Sequence, residues 1–326
     1  MKAIIPLAGL GTRLRPQTLS RPKPLVSVAG KPILGHVLER IQGLPIDETI
    51  FITGYLGDQI EAWVKANHPV PSRFVEQKEL KGQAHAIYLA REHIEGPLLI
   101  VFVDTIFEAD LSGLLDLTED GAIFVKEVPD PRRFGVAVLQ DGHVARLVEK
   151  PRRPVSNLAV VGVYYLRNSG LFVECLAELL DRDIKTGGEY YLADALQLMI
   201  DKGAKLSAFP IDVWEDTGTA EALLQTNRYL LGRCGNQIQG ELSDSLIVPP
   251  VYAGPGTRLV NSIVGPNVSI SAGAVVADSI LRDCIVGECT QVTGTVMTDS
   301  IIGANALIQW QARRLNVSDY SQVELG

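Results

Sequence analysis

The chain has 326 residues, 46% of them hydrophobic, and a formal net charge of −8. This length and apolar content suffice for two folded domains with packed cores. The acidic balance, with no long run of lysine or arginine, excludes a nucleic-acid polymer as an expected partner because an acidic surface repels phosphate chains.

The apolar runs and the cysteines predict a cytoplasmic location and no membrane partner. The run at residues 98–103 is far too short to span a bilayer, and Gly9 interrupts the N-terminal apolar segment before a signal-peptide core forms. The four cysteines show neither CxxC spacing nor the density of a disulfide scaffold. Their pattern fits a reducing compartment and does not support a zinc site.

The N-terminal part of the chain alternates β-branched runs with helical patterns. The run "KAIIPL" at residues 2–7 precedes apolar residues at helical spacing between positions 33 and 41, and "TIFIT" and "DQIEAWVKAN" then follow. Short strands that alternate with helices are typical of parallel sheets. We therefore expect an α/β domain with a Rossmann-like, mostly parallel sheet between helices.

Two later segments complete this domain. The continuous apolar run "LLIVFV" at residues 98–103 predicts a strand that is buried on both faces. Residues 217–231 predict a helix that is capped by Thr217 or Thr219 and closes the domain. The first domain is predicted to span residues 1–233.

Short repeated phrases mark the remaining residues, 234–326. "DSLIV" at 244, "NSIVG" at 261 and "DSILR" at 278 recur at an interval of seventeen residues, and Val264, Ile270 and Val276 lie six residues apart. Aliphatic residues at every sixth position predict parallel coils of three short strands, a hexapeptide β-helix. A β-sandwich is the alternative, although sandwich strands show no fixed long period.

A glycine-rich turn follows the first strand, at the sheet edge where open α/β sheets bind ligands. Gly9 and Gly11 let backbone N–H groups approach a phosphate chain, and Arg13 and Lys23 add charged donors. Arginine and lysine residues at 13, 15, 21, 23 and 31 make this region basic, with no acidic residue before position 39. We interpret it as a phosphate site, and a structural turn with solvated arginines remains the alternative.

Two familiar glycine motifs do not fit this turn. The dinucleotide fingerprint needs a glycine where Leu14 stands and an acidic residue about 20 positions later, whereas the first acidic residue is Glu39. The P-loop needs Gly-Lys followed by serine or threonine, whereas Lys31 is followed by Pro32. A nicotinamide-dependent oxidoreductase is therefore disfavoured.

The longer string "LAGLGTRLRPQT…RPKPL…GKPIL" closely resembles the signature of the sugar-nucleotide pyrophosphorylases, the sugar-1-phosphate nucleotidyltransferases. The resemblance covers nearly the whole chain and is greatest to the thymidylyltransferases. It implies a catalytic domain of the nucleotide-diphospho-sugar transferase type and a left-handed β-helix. It also implies that Arg13 and Lys23 act in catalysis. The nucleotide-binding residues that it implies at the turn are Leu7, Ala8, Gly9, Gly11 and Thr12.

Two aspartates are candidate magnesium ligands. Asp104 follows the strand at residues 98–103, and Asp216 lies in "VWEDTGT". Magnesium prefers one or two carboxylates together with substrate oxygens. Both resemble the metal-binding aspartates of the family, although Val103 stands where the family usually has glycine. A turn aspartate and a helix cap are the respective alternatives.

Two further segments resemble the family's substrate-binding regions. "FVEQKELKGQAHAI" implies that Gln77 and Gly82 contact the nucleobase, and an amide suits thymine or uracil because it offers both a donor and an acceptor. "RFGV", "VEKP" and "SNLA" imply a sugar-phosphate site at Gly135, Glu149, Lys150 and Asn157. Without the resemblance, Gln77 and the Glu149–Lys150 pair would each be read as solvated side chains.

The resemblance implies an enzyme that joins a nucleoside triphosphate to a sugar 1-phosphate with Mg²⁺ as cofactor. dTTP and glucose 1-phosphate are the expected substrates, and UTP, or GTP with mannose 1-phosphate, remain open. A non-catalytic sensor of sugar nucleotides is a second alternative. Acetyl transfer by the second domain is a third, but all five histidines precede residue 234 and acyl transfer to an amine usually needs a histidine base. The exposed ends of a β-helix favour a homo-oligomer.

Overall fold

The computed structural model describes residues 1–309. Residues 310–326, which end the predicted second domain and include the sequence "LNVSDYSQVELG", lie outside the described residues. Contacts divide the chain into two compact units, Met1–Thr226 and Asn227–Gly326. The fold is mixed α/β with parallel sheets.

The first unit is built on a nine-stranded sheet with the order β5-β4-β1-β6-β11-β8-β12-β10-β9. Two further pairs, β2 with β3 and β7 with β13, lie outside it. The strands are β1 Lys2–Pro6, β2 Ser27–Val28, β3 Lys31–Pro32, β4 Glu48–Thr53, β5 Ser72–Glu76, β6 Leu98–Val101, β7 Thr105–Glu108, β8 Gly121–Glu127, β9 Gly135–Gln140, β10 His143–Glu149, β11 Leu158–Leu166, β12 Leu206–Pro210 and β13 Val213–Asp216.

Strands β5, β4, β1 and β6 are parallel, as the alternation of strands with helices predicts. The chain extends from β1 to β4 and β5 on one side and then returns to β6 on the other side of β1. The carboxyl ends of β1 and β6 therefore flank a topological switch point, where open α/β sheets bind ligands. All four residues of β6 are fully buried, so the prediction of a strand covered on both faces is confirmed.

The expectation of a mostly parallel sheet is wrong for the other half of the nine-stranded sheet, which consists of β11, β8, β12, β10 and β9. Strand β11 pairs antiparallel with both β6 and β8, and β9 and β10 form an antiparallel hairpin. The hairpin turns through Asp141 and Gly142, both with positive φ. Such a short connection joins antiparallel strands, whereas parallel neighbours need a long crossover.

Apolar helix faces pack against this sheet. In α1, the residues predicted to be periodic, from Ile33 to Ile41, are buried. No helix among residues 1–309 has the length and apolar character that a membrane span requires. The α-helices are α1 Ile33–Ile41, α2 Gly57–Asn67, α3 Gln83–Leu89, α4 Ser169–Asp181, α5 Leu192–Asp201 and α6 Ala220–Cys234.

Helix α6 begins and ends three residues later than the predicted 217–231. Thr219 provides its N-cap, because the Thr219 hydroxyl accepts a hydrogen bond from the backbone N–H of Ala222 at 3.2 Å. Thr217 has a different partner: its hydroxyl donates to the carbonyl oxygen of Asp104 at 2.9 Å. Of the two predicted caps, Thr219 is therefore the one used.

The strands of the second unit stack as parallel coils that resemble a β-helix. All strand pairings within 227–309 are parallel, whereas a β-sandwich is antiparallel. The strands are β14 Gln237–Ile238, β15 Glu241–Ser243, β16 Leu246–Ile247, β17 Val251–Ala253, β18 Arg258–Val260, β19 Ile263–Val264, β20 Val268–Ile270, β21 Val275–Ala277, β22 Ile280–Val286, β23 Gln291–Thr293, β24 Val296–Ile302 and β25 Leu307–Gln309.

Each coil takes 17 residues at first and 16 later. Ile263 pairs with Ile280, and Ile280 pairs with Val296. One corner of every coil is a residue shorter than the others, and in the later coils a second corner is shorter as well. The inward-facing aliphatic residues are therefore not all six positions apart. Those of the four successive coils are Ile247, Ala253, Leu259; Val264, Ile270, Val276; Leu281, Val286, Val292; and Met297, Ile302, Ile308.

The recurring Asp/Asn-Ser phrases form one corner of the coils. Asp244, Asn261 and Asp278 have φ values of 50°, 45° and 51°, a left-handed conformation that Asp and Asn tolerate better than most residues. The serines that follow them are stacked, and the Ser262 hydroxyl accepts a hydrogen bond from the N–H of Ser279 at 3.1 Å. The repeat thus supplies both the turn conformation and bonds between coils.

Truncation of an inward-facing residue should destabilise this stack. Leu281 is fully buried, so Leu281→Ala is expected to lower the free energy of unfolding by about 2–5 kcal/mol, since it leaves a cavity. Its neighbour Ile280 is 43% exposed, and Ile280→Ala should cost about 0.5 kcal/mol. Urea titrations followed by circular dichroism measure both, and equal losses would contradict the assigned inward and outward faces.

Candidate active site

The glycine-rich turn at the end of β1 is held in shape by its neighbours. Gly11 has φ +62°, and a Cβ at that position would lie 3.0 Å from the Cβ of Lys23. The Thr18 hydroxyl donates to the Gly11 carbonyl oxygen at 2.8 Å, and a 3₁₀ turn over Thr12–Leu14 follows. Glycine at position 11 thus satisfies both the left-handed conformation and the close packing.

A cavity of about 390 Å³ adjoins this turn, and we call it the glycine-turn cavity. The structure places all nine residues that were predicted for the nucleotide and for catalysis on its wall. They are Leu7, Ala8, Gly9, Gly11, Thr12, Arg13, Lys23, Gln77 and Gly82.

The basic residues near the turn do not act together. Arg13 and Lys23 line the cavity, whereas Arg15 and Lys31 do not. Lys31 instead makes an ion pair with Glu39 at 2.5 Å, on helix α1. Of the five basic residues, Arg13 and Lys23 therefore contribute their charges to the cavity wall. Lys31 does not, because Glu39 on helix α1 is within ion-pair distance of it.

A two-stranded antiparallel ribbon brings the two candidate metal ligands together. Thr105 at the start of β7 pairs with Asp216 at the end of β13, and the N–H of Thr217 donates to the Asp104 carbonyl oxygen at 3.0 Å. Asp104 and Asp216 therefore lie side by side, although 112 positions separate them in the chain. Both line a second cavity, and Asp104 also lines the glycine-turn cavity.

The donor set at the ribbon fits magnesium. Asp104 and Asp216 offer hard carboxylate oxygens, and Asp104 is exposed at the wall of both cavities. Within residues 1–309 no cluster of three or more His, Cys, Asp or Glu side chains is arranged for a metal. Magnesium usually takes one or two carboxylates and completes its octahedron with water and phosphate oxygens, which matches an open pair of this kind.

Positive groups lie beside these carboxylates. Burial lowers the pKa of Lys23 from its usual value, and the charges of Asp104 and Asp216 oppose that decrease. A Cβ on Gly218 would lie 2.9 Å from Asp216 Oδ1 and 3.1 Å from Arg13 Nη2, so these two side chains approach over the backbone of Gly218. Opposite charges thus converge where the two cavities meet.

The candidate base-binding segment is rigid. Gln77 is 5% exposed, and its Nε2 donates to the Gly82 carbonyl oxygen at 3.2 Å. Gly82 has φ +107°, and a Cβ there would lie 2.5 Å from the Tyr190 carbonyl oxygen. Backbone hydrogen bonds join Tyr190 to Lys81 and to Ala84 at 2.9 and 3.0 Å. The glycine is therefore required by both conformation and space.

The second cavity, of about 380 Å³, contains Glu149, and we call it the Glu149 cavity. Gly135 pairs with Glu149 across the β9–β10 hairpin, and a Cβ on Gly135 would lie 2.9 Å from Glu149 Oε2. Burial raises the pKa of Glu149, and Lys150, 3.4 Å away, opposes that increase. Lys150 has φ +42° and donates to the Tyr191 hydroxyl at 3.3 Å.

Three of the four predicted sugar-phosphate residues, Gly135, Glu149 and Lys150, line this cavity. Asn157 lines neither cavity; it is exposed, and its carbonyl oxygen accepts a hydrogen bond from the N–H of Val128 at 3.0 Å. The position of the Asn157 backbone is set by the fold, because β11 begins at Leu158 and pairs with β8. The order of the phrases "FGV", "VEKP" and "SNLA" along the chain does not indicate this position.

Several lining residues were not predicted. Gln83 and Phe102 line both cavities, and Arg133 lines the Glu149 cavity. Glu189 and Gly218 line the glycine-turn cavity. Glu189 belongs to "GGEYYLADAL", in which two adjacent glycines before an acidic residue could have indicated a loop at the site.

Val103, where the family usually has glycine, is buried at 5% exposure on the wall of the glycine-turn cavity. The Thr105 hydroxyl donates to the Val161 carbonyl oxygen at 3.3 Å. Both residues therefore pack into the unit on either side of Asp104, and the carboxylate alone is exposed at this bend.

Comparison with known proteins identifies the family of this chain. The family model described as nucleotidyl transferase matches residues 2–232. The chain belongs to the sugar-1-phosphate nucleotidyltransferase family. It is an enzyme of the nucleotidyltransferase class.

Relatives of this nucleotidyltransferase differ in their named activities. The chain is 34% identical to a glucose-1-phosphate thymidylyltransferase of Streptomyces antibioticus, covering 94% of this chain and 88% of the relative. It is 33% identical to a bifunctional protein GlmU of Methanocaldococcus jannaschii, with coverage of 92% and 82%. A UTP–glucose-1-phosphate uridylyltransferase of Haloferax volcanii is 34% identical, with coverage of 69% and 97%.

The two glycines at the turn should differ in what they tolerate. A Cβ on Gly9 would meet no atom within 4 Å, and the same holds for Gly113 in a 3₁₀ turn away from the cavity. Gly9→Ala and Gly113→Ala should therefore both leave the unfolding midpoint unchanged. Only Gly9→Ala should raise the KM for the nucleotide, on the order of tenfold, because its methyl group enters the space that phosphates would occupy. Steady-state kinetics measure this, and an unchanged KM in both variants would contradict a phosphate site at Gly9.

Proposed function

We propose that the nucleotidyltransferase converts dTTP and glucose 1-phosphate into dTDP-glucose and pyrophosphate. A phosphate oxygen of glucose 1-phosphate attacks the α-phosphorus of dTTP and forms a new P–O bond. The bond between the α-phosphorus and the α–β bridging oxygen breaks, and pyrophosphate leaves with that electron pair. Atoms and charge balance without an oxidant or another co-reactant.

One observation carries the proposal: the glycine-turn cavity and the Glu149 cavity have Arg13 and Asp104 in common on their walls. An anion in one cavity would lie next to an anion in the other, with both signs of charge between them. The nucleotide is assigned to the glycine-turn cavity, because backbone N–H groups at a glycine turn suit a triphosphate. The sugar 1-phosphate is assigned to the Glu149 cavity, with Lys150 on its phosphate and Glu149 on its hydroxyls.

Catalysis in this scheme consists of alignment and neutralisation of charge. The second pKa of a phosphate monoester is about 6, so the attacking oxygen is already ionised at neutral pH and no general base is needed. Arg13 and Lys23 hold the phosphates of the nucleotide and stabilise the charge that develops on pyrophosphate. Mg²⁺, held by Asp104 and Asp216 when bound, would supply further neutralisation of the phosphate oxygens.

Thymine is proposed as the base because the amide oxygen of Gln77 can accept a hydrogen bond from the N3–H of thymine or uracil. The named relatives include a thymidylyltransferase and a uridylyltransferase, so UTP is the nearest alternative and GTP a more distant one. Glucose 1-phosphate is the sugar phosphate that both names share.

The proposed domains are a catalytic domain at residues 1–233 and a left-handed hexapeptide β-helix at 234–326. We assign the second domain to subunit contact in a homo-oligomer rather than to acetyl transfer, because it contains no histidine. A cytoplasmic location completes the proposal.

A panel of dTTP, UTP and GTP against glucose and mannose 1-phosphates, with and without magnesium, tests the proposed function. Pyrophosphate release and chromatography of the nucleotide sugar are the measurements. The largest kcat/KM is expected for dTTP with glucose 1-phosphate, and only with the metal. Nucleotide-sugar binding without pyrophosphate release would instead favour a sensor.

A further inference from the structure

The amide of Gln77 has a fixed orientation. Gln77 Nε2 lies 3.2 Å from the Gly82 carbonyl oxygen and 3.2 Å from Nδ1 of His85 on helix α3. A carbonyl oxygen only accepts hydrogen bonds, so the amide nitrogen, and not the amide oxygen, must face Gly82. One of the two N–H groups is used by this contact.

The second N–H of Gln77 points to the ring of His85. For His85 Nδ1 to accept it, the imidazole must be neutral and carry its proton on Nε2. Both donors of the Gln77 amide are then occupied by protein. The amide oxygen, Oε1, makes no hydrogen bond with any residue in 1–309, while Gln77 lines the glycine-turn cavity. The amide therefore offers a ligand an acceptor rather than a donor.

We propose that His85 is a positioning residue that makes the nucleotide site select bases with an N–H on their pairing edge. This inference rests on the proposed nucleotide site. Thymine and uracil carry such an N–H at N3, and guanine carries one at N1. Cytosine and adenine have a bare nitrogen at the equivalent position, which would face the Gln77 oxygen as a second acceptor. The site is thus expected to reject dCTP and ATP.

Protonation of His85 should weaken this selection. A proton on Nδ1 would place two donors against each other, and the Gln77 amide could relieve that contact only by turning its oxygen toward the Gly82 carbonyl oxygen. The charged groups that act on the ring are Lys81 and Glu79, with opposite effects. Burial lowers the pKa of His85 below its usual 6.5, so the ring is neutral at pH 7.5 and gains its proton only below pH 6.5.

Equilibrium binding of dUTP and dCTP, measured by calorimetry without sugar phosphate, tests this role. These two nucleotides differ only at N3 and the substituent on C4, and they carry the same triphosphate, so phosphate titration cancels in the ratio of their Kd values. The protein is expected to bind dUTP roughly tenfold more tightly than dCTP at pH 7.5, since a mismatched buried polar group is costly.

Three variants separate the role of His85 from a merely structural one. His85→Leu removes the acceptor and should reduce the ratio to about 2 or less. His85→Asn keeps an acceptor near the Nδ1 position and cannot titrate, so it should keep the ratio at pH 7.5 and still keep it at pH 5.5, where the unmodified protein loses part of it. His93 lies outside both cavities, so His93→Asn should show the same ratio of Kd values as the unmodified protein at both pH values.

Equal binding of dUTP and dCTP by the unmodified protein would overturn the proposal, and so would an unchanged ratio in His85→Leu. An identical fall in the ratio between pH 7.5 and 5.5 in His85→Asn would overturn its pH dependence. Because no step of this experiment requires turnover, a protein that selects dUTP but releases no pyrophosphate would support the role of His85 while contradicting the proposed function.

Discussion

Arg13→Ala is expected to lower kcat for pyrophosphate release by about 10²–10³-fold, because it removes a preorganised charge from the place where pyrophosphate forms. The Arg13 guanidinium lines both cavities and approaches Asp216 over the backbone of Gly218. Since Arg13 is exposed, the free energy of unfolding should change by about 0.5 kcal/mol or less. Steady-state release of pyrophosphate at saturating substrate measures the effect.

Arg15→Ala is the matched control for this experiment. Arg15 is two residues further along the same exposed turn, and it lines neither cavity. The same change of charge should therefore leave kcat within about twofold of the unmodified enzyme, because surface charges away from a site contribute little. Similar losses in both variants would indicate a general electrostatic effect and would contradict the role of Arg13.

Asp104→Asn should be at least as damaging, with an expected loss of about 10²–10³-fold in kcat at a fixed magnesium concentration. The amide is isosteric, and the Asp104 carbonyl oxygen keeps its hydrogen bonds from Thr217, so the ribbon should survive. A neutral amide is a poorer ligand for magnesium than a carboxylate, and part of the activity should return as magnesium is raised. Rates measured across a magnesium titration distinguish this from a folding defect.

Asp141→Asn controls for the loss of one negative charge. Asp141 is exposed in the β9–β10 turn with φ +51°, a conformation that asparagine adopts readily. Its magnesium titration should overlay that of the unmodified enzyme. If Asp104→Asn had the activity and the magnesium requirement of the unmodified enzyme, the assignment of Asp104 as a metal ligand would be wrong. Removal of the metal by a chelator should abolish the activity of every active form.

The sequence predicted the parts of the fold that depend on local pattern. β1, α1, β4, α2 and β6 follow their hydrophobic periods, and the glycine turn follows β1 as expected. The mixed half of the sheet was not predictable in this way, because the direction of β11 depends on which strands it contacts and not on its own residues. The coil length of 17 and then 16 residues was only partly visible, since a shorter corner breaks the six-residue period.

The same distinction applies to the candidate site. Asp104 could be placed at the sheet edge because it ends a buried strand, but its pairing with Asp216 depends on a ribbon between β7 and β13 that no local pattern reveals. Asn157 was carried over from the order of motifs, and it lines neither cavity. Lys31 was counted as free charge because Glu39 is eight positions later, although helix α1 brings the two within ion-pair distance.

The coil arrangement of residues 227–309 restricts how this part of the chain can change in length. Ser262 and Ser279 occupy equivalent positions in successive coils, so excision of the seventeen residues 263–279 would join equivalent positions. Removal of a single residue within a strand would instead turn the following side chains of that strand to the opposite face, whereas a corner accepts it, as the change from 17 to 16 residues per coil shows. The unit that can be added or removed without changing the strand register is therefore one complete coil of the stack.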